Sequence, residues 1–144
     1  MKEDLTIIKR DGSQENLDIQ KLHKVVGFAC EGLAGVSSSQ IQMNAGIQFV
    51  SGMSSREIQD LLIRSANDLI TLENPNYQYA AARLLLYGIY KDVFGGFEKV
   101  SMYDMIKRNI DRNVYDSQIL DMYTKDEFEK MEKYIHHTRD ENFT

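Results

Sequence analysis

Apolar and polar residues alternate over positions 5–19 and then give way to helical spacing. Leu5, Ile7 and Lys9 fall on one face of a predicted strand, with Thr6, Ile8 and Arg10 on the other. Asp11-Gly12-Ser13 reads as a hairpin turn, because Gly12 takes a positive φ at little cost. Glu15, Leu17 and Ile19 alternate with Asn16 and Asp18 in a return strand. Such a short hairpin must lean on something to be stable. Asp18 is placed as a helix N-cap. Beyond it Leu22, Val25, Val26, Ala29 and Leu33 recur at the spacing of one helical face, and Gly32 or Gly35 ends that helix.

A second helix is predicted from Ser37, with Gln40 as its capping-box partner, to about Val50; Gly52 breaks it. Ser54 and Glu57 form another capping box ahead of Ile58, Leu61, Leu62, Ser65 and Leu69. Pro75 suits a first helical position. The fourth helix, from Tyr77 to about Phe94, is apolar on most sides, which predicts a place central to the core. Gly95 and Gly96 stop it. Shorter helices follow. One of them is capped by Thr124 and Glu127 and carries Phe128, Met131 and Ile135 on one face. The fold class expected is mainly α with an N-terminal β-hairpin: a domain at 1–96, then a helical appendage at 97–144.

Composition narrows the function classes. The chain has 144 residues, 42% of them hydrophobic and 27% charged, as in an ordinary globular protein. A net charge of −5 disfavours nucleic-acid binding, which wants a basic face. No run approaches the ~20 apolar residues of a membrane span. A single cysteine, Cys30, excludes a disulfide framework and a thiolate zinc cluster and fits a reducing cytoplasm. It reads as a small buried hydrophobe. Neither a phosphate-loop motif nor a nucleophile elbow is present. His136 and His137 are adjacent, so they point to different sides of a helix and make a poor metal pair. Among the basic residues Lys21 stands out. A cation in the first helical turn opposes the macrodipole unless an acid such as Glu15 or Asp18, or a bound anion, sits nearby.

The stretches "IIKRDGSQENLDIQKL", "GMSSREIQDLLIRSANDLI" and "NPNYQYAAARLLLYGIYKDVFG" resemble the ATP-cone, the nucleotide-sensing domain of ribonucleotide reductases. The run from Pro75 to Leu84 is similar to class I large subunits. The stretch from Tyr103 onward, with His137, Arg139 and Asp140, looks like the segment that leads into their catalytic barrel. The resemblance implies a hairpin lid over four helices with ATP or dATP between them, accompanied by Mg2+. By position, Lys9, Arg10 and Lys91 would meet the phosphates. Glu15, Asn16, Leu17, Asp18, Ile19, Gln20 and Lys21 would wrap the adenine and ribose. Ile7, Leu17 and Leu22 would form apolar walls, and Ser55 would lie near the phosphates. Gln59 stands where such cones often carry a histidine near the ribose, and Gly88 replaces a larger residue; both departures count against strong dATP discrimination rather than against the fold.

The implied function is allosteric control of a reductase through its quaternary state, in deoxyribonucleotide synthesis. The implied partners are the remainder of the large subunit, on the same or a separate chain, and the small radical-generating subunit, in an oligomer with no nucleic acid or membrane. Catalysis in that family needs several cysteines, so this chain alone should be inactive. An excised fragment and a split-gene product are both open. The alternatives are a helical assembly module that no longer senses nucleotide and a cone-bearing repressor, which would need paired cysteines that this chain lacks.

Overall fold

The computed structural model describes residues 5–96 and 98–142. The remaining parts of the two expected segments, at 1–4, 97 and 143–144, lie outside them. The chain divides into two compact units, one running to Gly88 and taking in Glu141, the other Ile89–Asp140.

The first unit opens with strands β1 (Thr6–Ile8) and β2 (Gln14–Asn16), paired antiparallel with Ile7 opposite Glu15. The return strand is shorter than the alternation suggests. Leu17 still donates to the Leu5 carbonyl at 2.7 Å, but Ile19 already opens helix α1 (Ile19–Cys30) because Asp18 caps it. The hairpin leans on a third strand that the alternation does not reveal. Strand β3 (Met53–Ser54) runs parallel to β1, setting Ile7 opposite Met53, so the sheet order is β2-β1-β3. The Gly52 amide donates to the Thr6 carbonyl at 2.7 Å and the Thr6 amide to the Ser51 hydroxyl at 3.2 Å, fastening the central strand from that side.

Helix α2 (Ser38–Gly46) starts at its expected cap, where the Ser37 hydroxyl accepts from the Gln40 amide. The reciprocal half of the capping box is supplied differently. The Ser37 amide donates to the Tyr77 hydroxyl at 3.1 Å, and that hydroxyl donates to Gln40 Oε1 at 3.1 Å. Tyr77, placed by the start of the fourth helix, takes the position that the Gln40 side chain would have filled. The helix ends before Val50. Its last turn tightens into i+3 bonds, Gln48 to Ala45 and Phe49 to Gly46, and this turns Phe49 into the core. Helix α3 (Ser55–Asp68) begins at the Ser54–Glu57 capping box. Helix α4 (Tyr77–Phe94) starts two residues after Pro75, whose carbonyl accepts from Gln78 in the preceding turn. Gly95, at φ +82°, ends it.

Each helix of the first unit contributes one of the largest fully buried side chains, Val26, Ile41, Leu62 and Leu84, and a fully buried alanine, Ala29, Ala45, Ala66 and Ala80. Alternating large and small residues let the helix backbones approach closely without voids. Two polar contacts lock this arrangement. The buried Ser65 hydroxyl donates to the Ile41 carbonyl at 2.8 Å. Arg83 Nη1 donates to the carbonyls of Ala29 and Glu31, which satisfies the open C-terminus of α1 and places a cation at its negative end. Only one side of α4 is core: Leu85, Ile89 and Val93, four residues apart, are all exposed. The apolar composition of this helix suggested a more central position than it holds.

The second unit holds the end of α4, then α5 (Met102–Asp111), α6 (Gln118–Met122), α7 (Lys125–Glu132) and, as far as Asp140, a final 3-10 turn (His137–Asn142). Phe128 is its one buried hydrophobic residue among those described, packed by Tyr103 and Tyr123 at ring-centroid distances of 6.0 and 5.9 Å. Helix α7 stops at Glu132, short of Ile135. Met131 and Ile135 are exposed, so the expected apolar face is reduced to Phe128.

Candidate functional site

The hairpin tip is a tight turn. The Gly12 amide donates to the Lys9 carbonyl at 3.0 Å, the Lys9 amide donates to Ser13 at 2.8 Å, and Gly12 sits at φ +85°. Asp11 stiffens it by accepting from the Ser13 hydroxyl at 2.6 Å and the Ser13 amide at 2.9 Å; these bonds hold its carboxyl below the usual range. The turn therefore presents Lys9 and Arg10 from a defined backbone.

Lys9 Nζ lies 3.4 Å from Glu15 of the return strand, with both side chains about 40% exposed. A pair so open to water contributes little stability, and its partners can be exchanged. Arg10 points to α4, where its Nη2 lies 3.5 Å from the Gly88 carbonyl, at the long end of a hydrogen bond. Gln59 reaches α4 from α3. It is buried, and its Nε2 donates to the Leu84 carbonyl at 2.5 Å. Gly88 is its neighbour on α4: a Cβ there would lie 3.7 Å from Gln59 Cγ, in ordinary contact. Arg10, Gln59 and Gly88 thus meet at the middle of α4.

The other expected residues are placed as follows. Ile7 and Leu22 are buried in the core and Leu17 packs against it, so these three support the hairpin from beneath. Asn16, Gln20 and Lys21 are exposed at the strand-to-helix junction, and Ile19 is half-buried. Asp18 Oδ1 accepts from the Lys21 amide at 3.0 Å, so it caps the helix at the backbone; Glu15, the other acid considered for Lys21, pairs with Lys9. Ser55 is the half-buried first residue of α3. Lys91 lies in the last turn of α4, in the second unit.

Other candidate chemistry resolves into structure. Cys30 is half-buried, and burial raises its thiol pKa although Arg83 works in the opposite direction. His137 Nδ1 and the Tyr90 hydroxyl both contact Asp140 Oδ2, at 3.0 and 2.7 Å, and these bonds, Tyr90 first, lower the Asp140 carboxyl pKa. The His-x-Arg-Asp stretch therefore ties down the final turn. Among the described residues no group of three or more potential ligands could hold a metal ion, and no helix is long and apolar enough to cross a membrane.

A family profile described as an ATP cone domain matches residues 5–92. Over its full length the chain is 39% identical to the alpha subunit of ribonucleoside-diphosphate reductase 1 from Escherichia coli. It is 34% identical over 140 residues to the ribonucleoside-diphosphate reductase alpha subunit of Enterobacteria phage T4, and 41% identical over 91 residues to that of Helicobacter pylori. These alignments take in 100%, 97% and 63% of this chain but 19%, 18% and 12% of the relatives. The chain thus spans about a fifth of the length of the relatives that it matches along most of its own length.

Proposed function

Since the chain belongs to the ATP-cone family, we propose that it is the allosteric nucleotide-binding region of a ribonucleoside-diphosphate reductase alpha subunit, with ATP or dATP as effector. The observation that carries this reading is the hairpin tip, a tight turn that presents Arg10 beside α4 and leaves the next cation, Lys9, on an exchangeable pair with Glu15. On this reading Lys9 exchanges Glu15 for a phosphate oxygen, Arg10 exchanges the long contact to Gly88 for a second, and Lys91 supplies a third cation. The segment from Glu15 to Lys21 then faces adenine and ribose, and Ser55 adds a hydroxyl near the phosphates. Any Mg2+ would be held chiefly by the triphosphate itself, as this hard cation commonly is.

Charge-assisted hydrogen bonds contribute about 1.5–3 kcal/mol each. Lys9→Ala with Lys91→Ala should therefore weaken ATP binding by at least about a hundredfold while adenosine binding changes little, measured by calorimetry or by the ligand-induced rise in melting temperature. Equal losses for both ligands would remove the phosphate assignment. No heat with millimolar ATP on a folded sample would favour the assembly-module reading.

ATP and dATP differ only at the 2′-hydroxyl, so control of quaternary state by both requires a group that reads that position. Gln59, where such cones often carry a histidine, is the position to test. Gln59→His should change the dATP-to-ATP affinity ratio, and an unchanged ratio would assign discrimination to another residue. The second unit would dock on the remainder of the alpha subunit, consistent with the exposure of Val114, Met122, Tyr134 and Ile135. The reductase chemistry would come from that remainder, because Cys30 is the one cysteine here. The small radical-generating subunit and the oligomer would be engaged only in that larger assembly.

A further inference from the structure

Asp11 and Gly12 form the one Asp–Gly pair in the sequence, which has no Asn–Gly pair. Such a pair can react with itself, because the Gly12 nitrogen can reach Asp11 Cγ and close a small ring. Glycine has no Cβ to obstruct that approach. Asp11, Gly12 and Ser13 are all exposed, and a Cβ on Gly12 would meet nothing within 4 Å, so no described side chain packs over the pair.

The folded turn holds both reacting groups back. Asp11 Oδ1 accepts from the Ser13 hydroxyl at 2.6 Å and from the Ser13 amide at 2.9 Å. These bonds favour the ionised carboxyl, the Ser13 hydroxyl first among them. An ionised carboxyl resists attack, because its oxygen leaves as water only after taking up protons. The nucleophile is tied as well. The Gly12 amide donates to the Lys9 carbonyl at 3.0 Å, and attack requires that this proton leave the nitrogen.

We propose that Asp11–Gly12 is a modification site at which aspartate converts to isoaspartate through a cyclic imide, and that Ser13 is the positioning residue that restrains the conversion while the hairpin is folded. Water is the only co-reactant. The Gly12 nitrogen bonds to Cγ of the protonated Asp11 carboxyl, and the C–O bond breaks. The oxygen leaves as water with its own proton and the one from nitrogen. A second water then opens the imide. Attack at Cγ restores aspartate, whereas attack at the main-chain carbonyl leaves the chain running through Cβ and Cγ, which is isoaspartate. The main chain gains a carbon between Arg10 and Gly12, so the bonds from Gly12 to Lys9 and from Lys9 to Ser13 lose their spacing. This chemistry is separate from nucleotide binding and does not rest on it.

Incubating the full chain at neutral pH, with and without guanidinium chloride, tests the assignment. Isoaspartate at Asp11 is read by peptide mass spectrometry and by labelling with an isoaspartyl methyltransferase. It should accumulate faster in denaturant than in the folded chain. Ser13→Ala should raise the folded rate about fivefold, the factor a single hydrogen bond supplies, and leave the rate in denaturant unchanged. Ser13→Thr, which keeps the hydroxyl, should react as slowly as the unmodified chain. No isoaspartate at Asp11 in denaturant would overturn the site. A folded rate that equals or exceeds the denatured one would overturn the restraint. So would a folded Ser13→Ala chain that reacts no faster, a Ser13→Thr chain as fast as Ser13→Ala, or a Ser13→Ala effect just as large in denaturant.

Discussion

From Leu5 to Gly88 every helix contributes a large residue and an alanine to one contiguous core, whereas from Ile89 to Asp140 a single phenylalanine is buried among the described residues. The caps are equally good in both. Ser54 and Glu57 make a complete capping box on α3, and Thr124 and Glu127 make one on α7. Local helix signals are therefore matched and long-range packing is not. The difference teaches that capping fixes where a helix begins, while burial decides whether the helix stands by itself. A unit of 52 residues with one buried hydrophobic side chain among those described lies near the size at which a small core becomes marginal.

Core truncations give the largest contrast. Leu62→Ala should destabilise the first unit by about 2–5 kcal/mol, because its fully packed surroundings cannot collapse into the cavity. Phe128→Ala should abolish amide protection in α5 and α7 while that of α1–α3 is retained. Hydrogen exchange on both variants reads the two units separately. If Phe128→Ala lowers protection in α1–α3 to the same extent, the units are one cooperative structure and the comparison fails.

The same contrast explains what was legible in the sequence. The caps at Asp18, Ser54 and Thr124 are chemistry between residues three apart, and the structure has all three. Strand β3 is two residues held by pairing to β1 across about 45 positions, and no local pattern announces it. The same is true of the Tyr77 hydroxyl at Ser37 and of Arg83 at the end of α1. In α4, apolar content misled where spacing informs: Ala80, Ala81 and Leu84 lie on the buried side, and Leu85, Ile89 and Val93 on an exposed one. Of the candidate site, the turn at Gly12 and the cap at Asp18 could be read directly. The exchange of partners, with Glu15 taken by Lys9, depends on cross-strand geometry that sequence spacing left open.

Cap deletions sharpen the comparison at a smaller scale. Ser54→Ala and Thr124→Ala should each cost about 1 kcal/mol, the usual worth of an N-cap hydroxyl. The local loss is the same, but its reach differs. In the first unit it should lower the unfolding midpoint of the whole core, because α3 carries Leu62 and Ala66. In the second it should appear as fraying of α7 alone, seen as faster amide exchange from Asp126 to Glu129. Equal effects on both units' midpoints would show that the second has more long-range support than Phe128 provides.

The smallest effect concerns charge at those caps. The carboxyls of Glu57 and Glu127 are held below the usual range, first by the backbone amides of Ser54 and Thr124 and then by their hydroxyls. A carboxyl whose folded pKa is depressed stabilises the fold fully above its unfolded pKa, near 4.3, and loses that contribution as pH falls through the folded value. Glu57→Gln keeps an acceptor for Ser54 but does not titrate. The stability difference between the unmodified chain and Glu57→Gln should therefore be constant above about pH 5 and shrink as acid is added. Urea midpoints across that interval measure it. For Glu127→Gln the same acid-dependent difference should be visible in the exchange of α7 and absent from the midpoint of the first unit. A difference that grows on acidification would mean that the carboxylate opposes the helix start, and the shared capping chemistry on which the comparison rests would be lost.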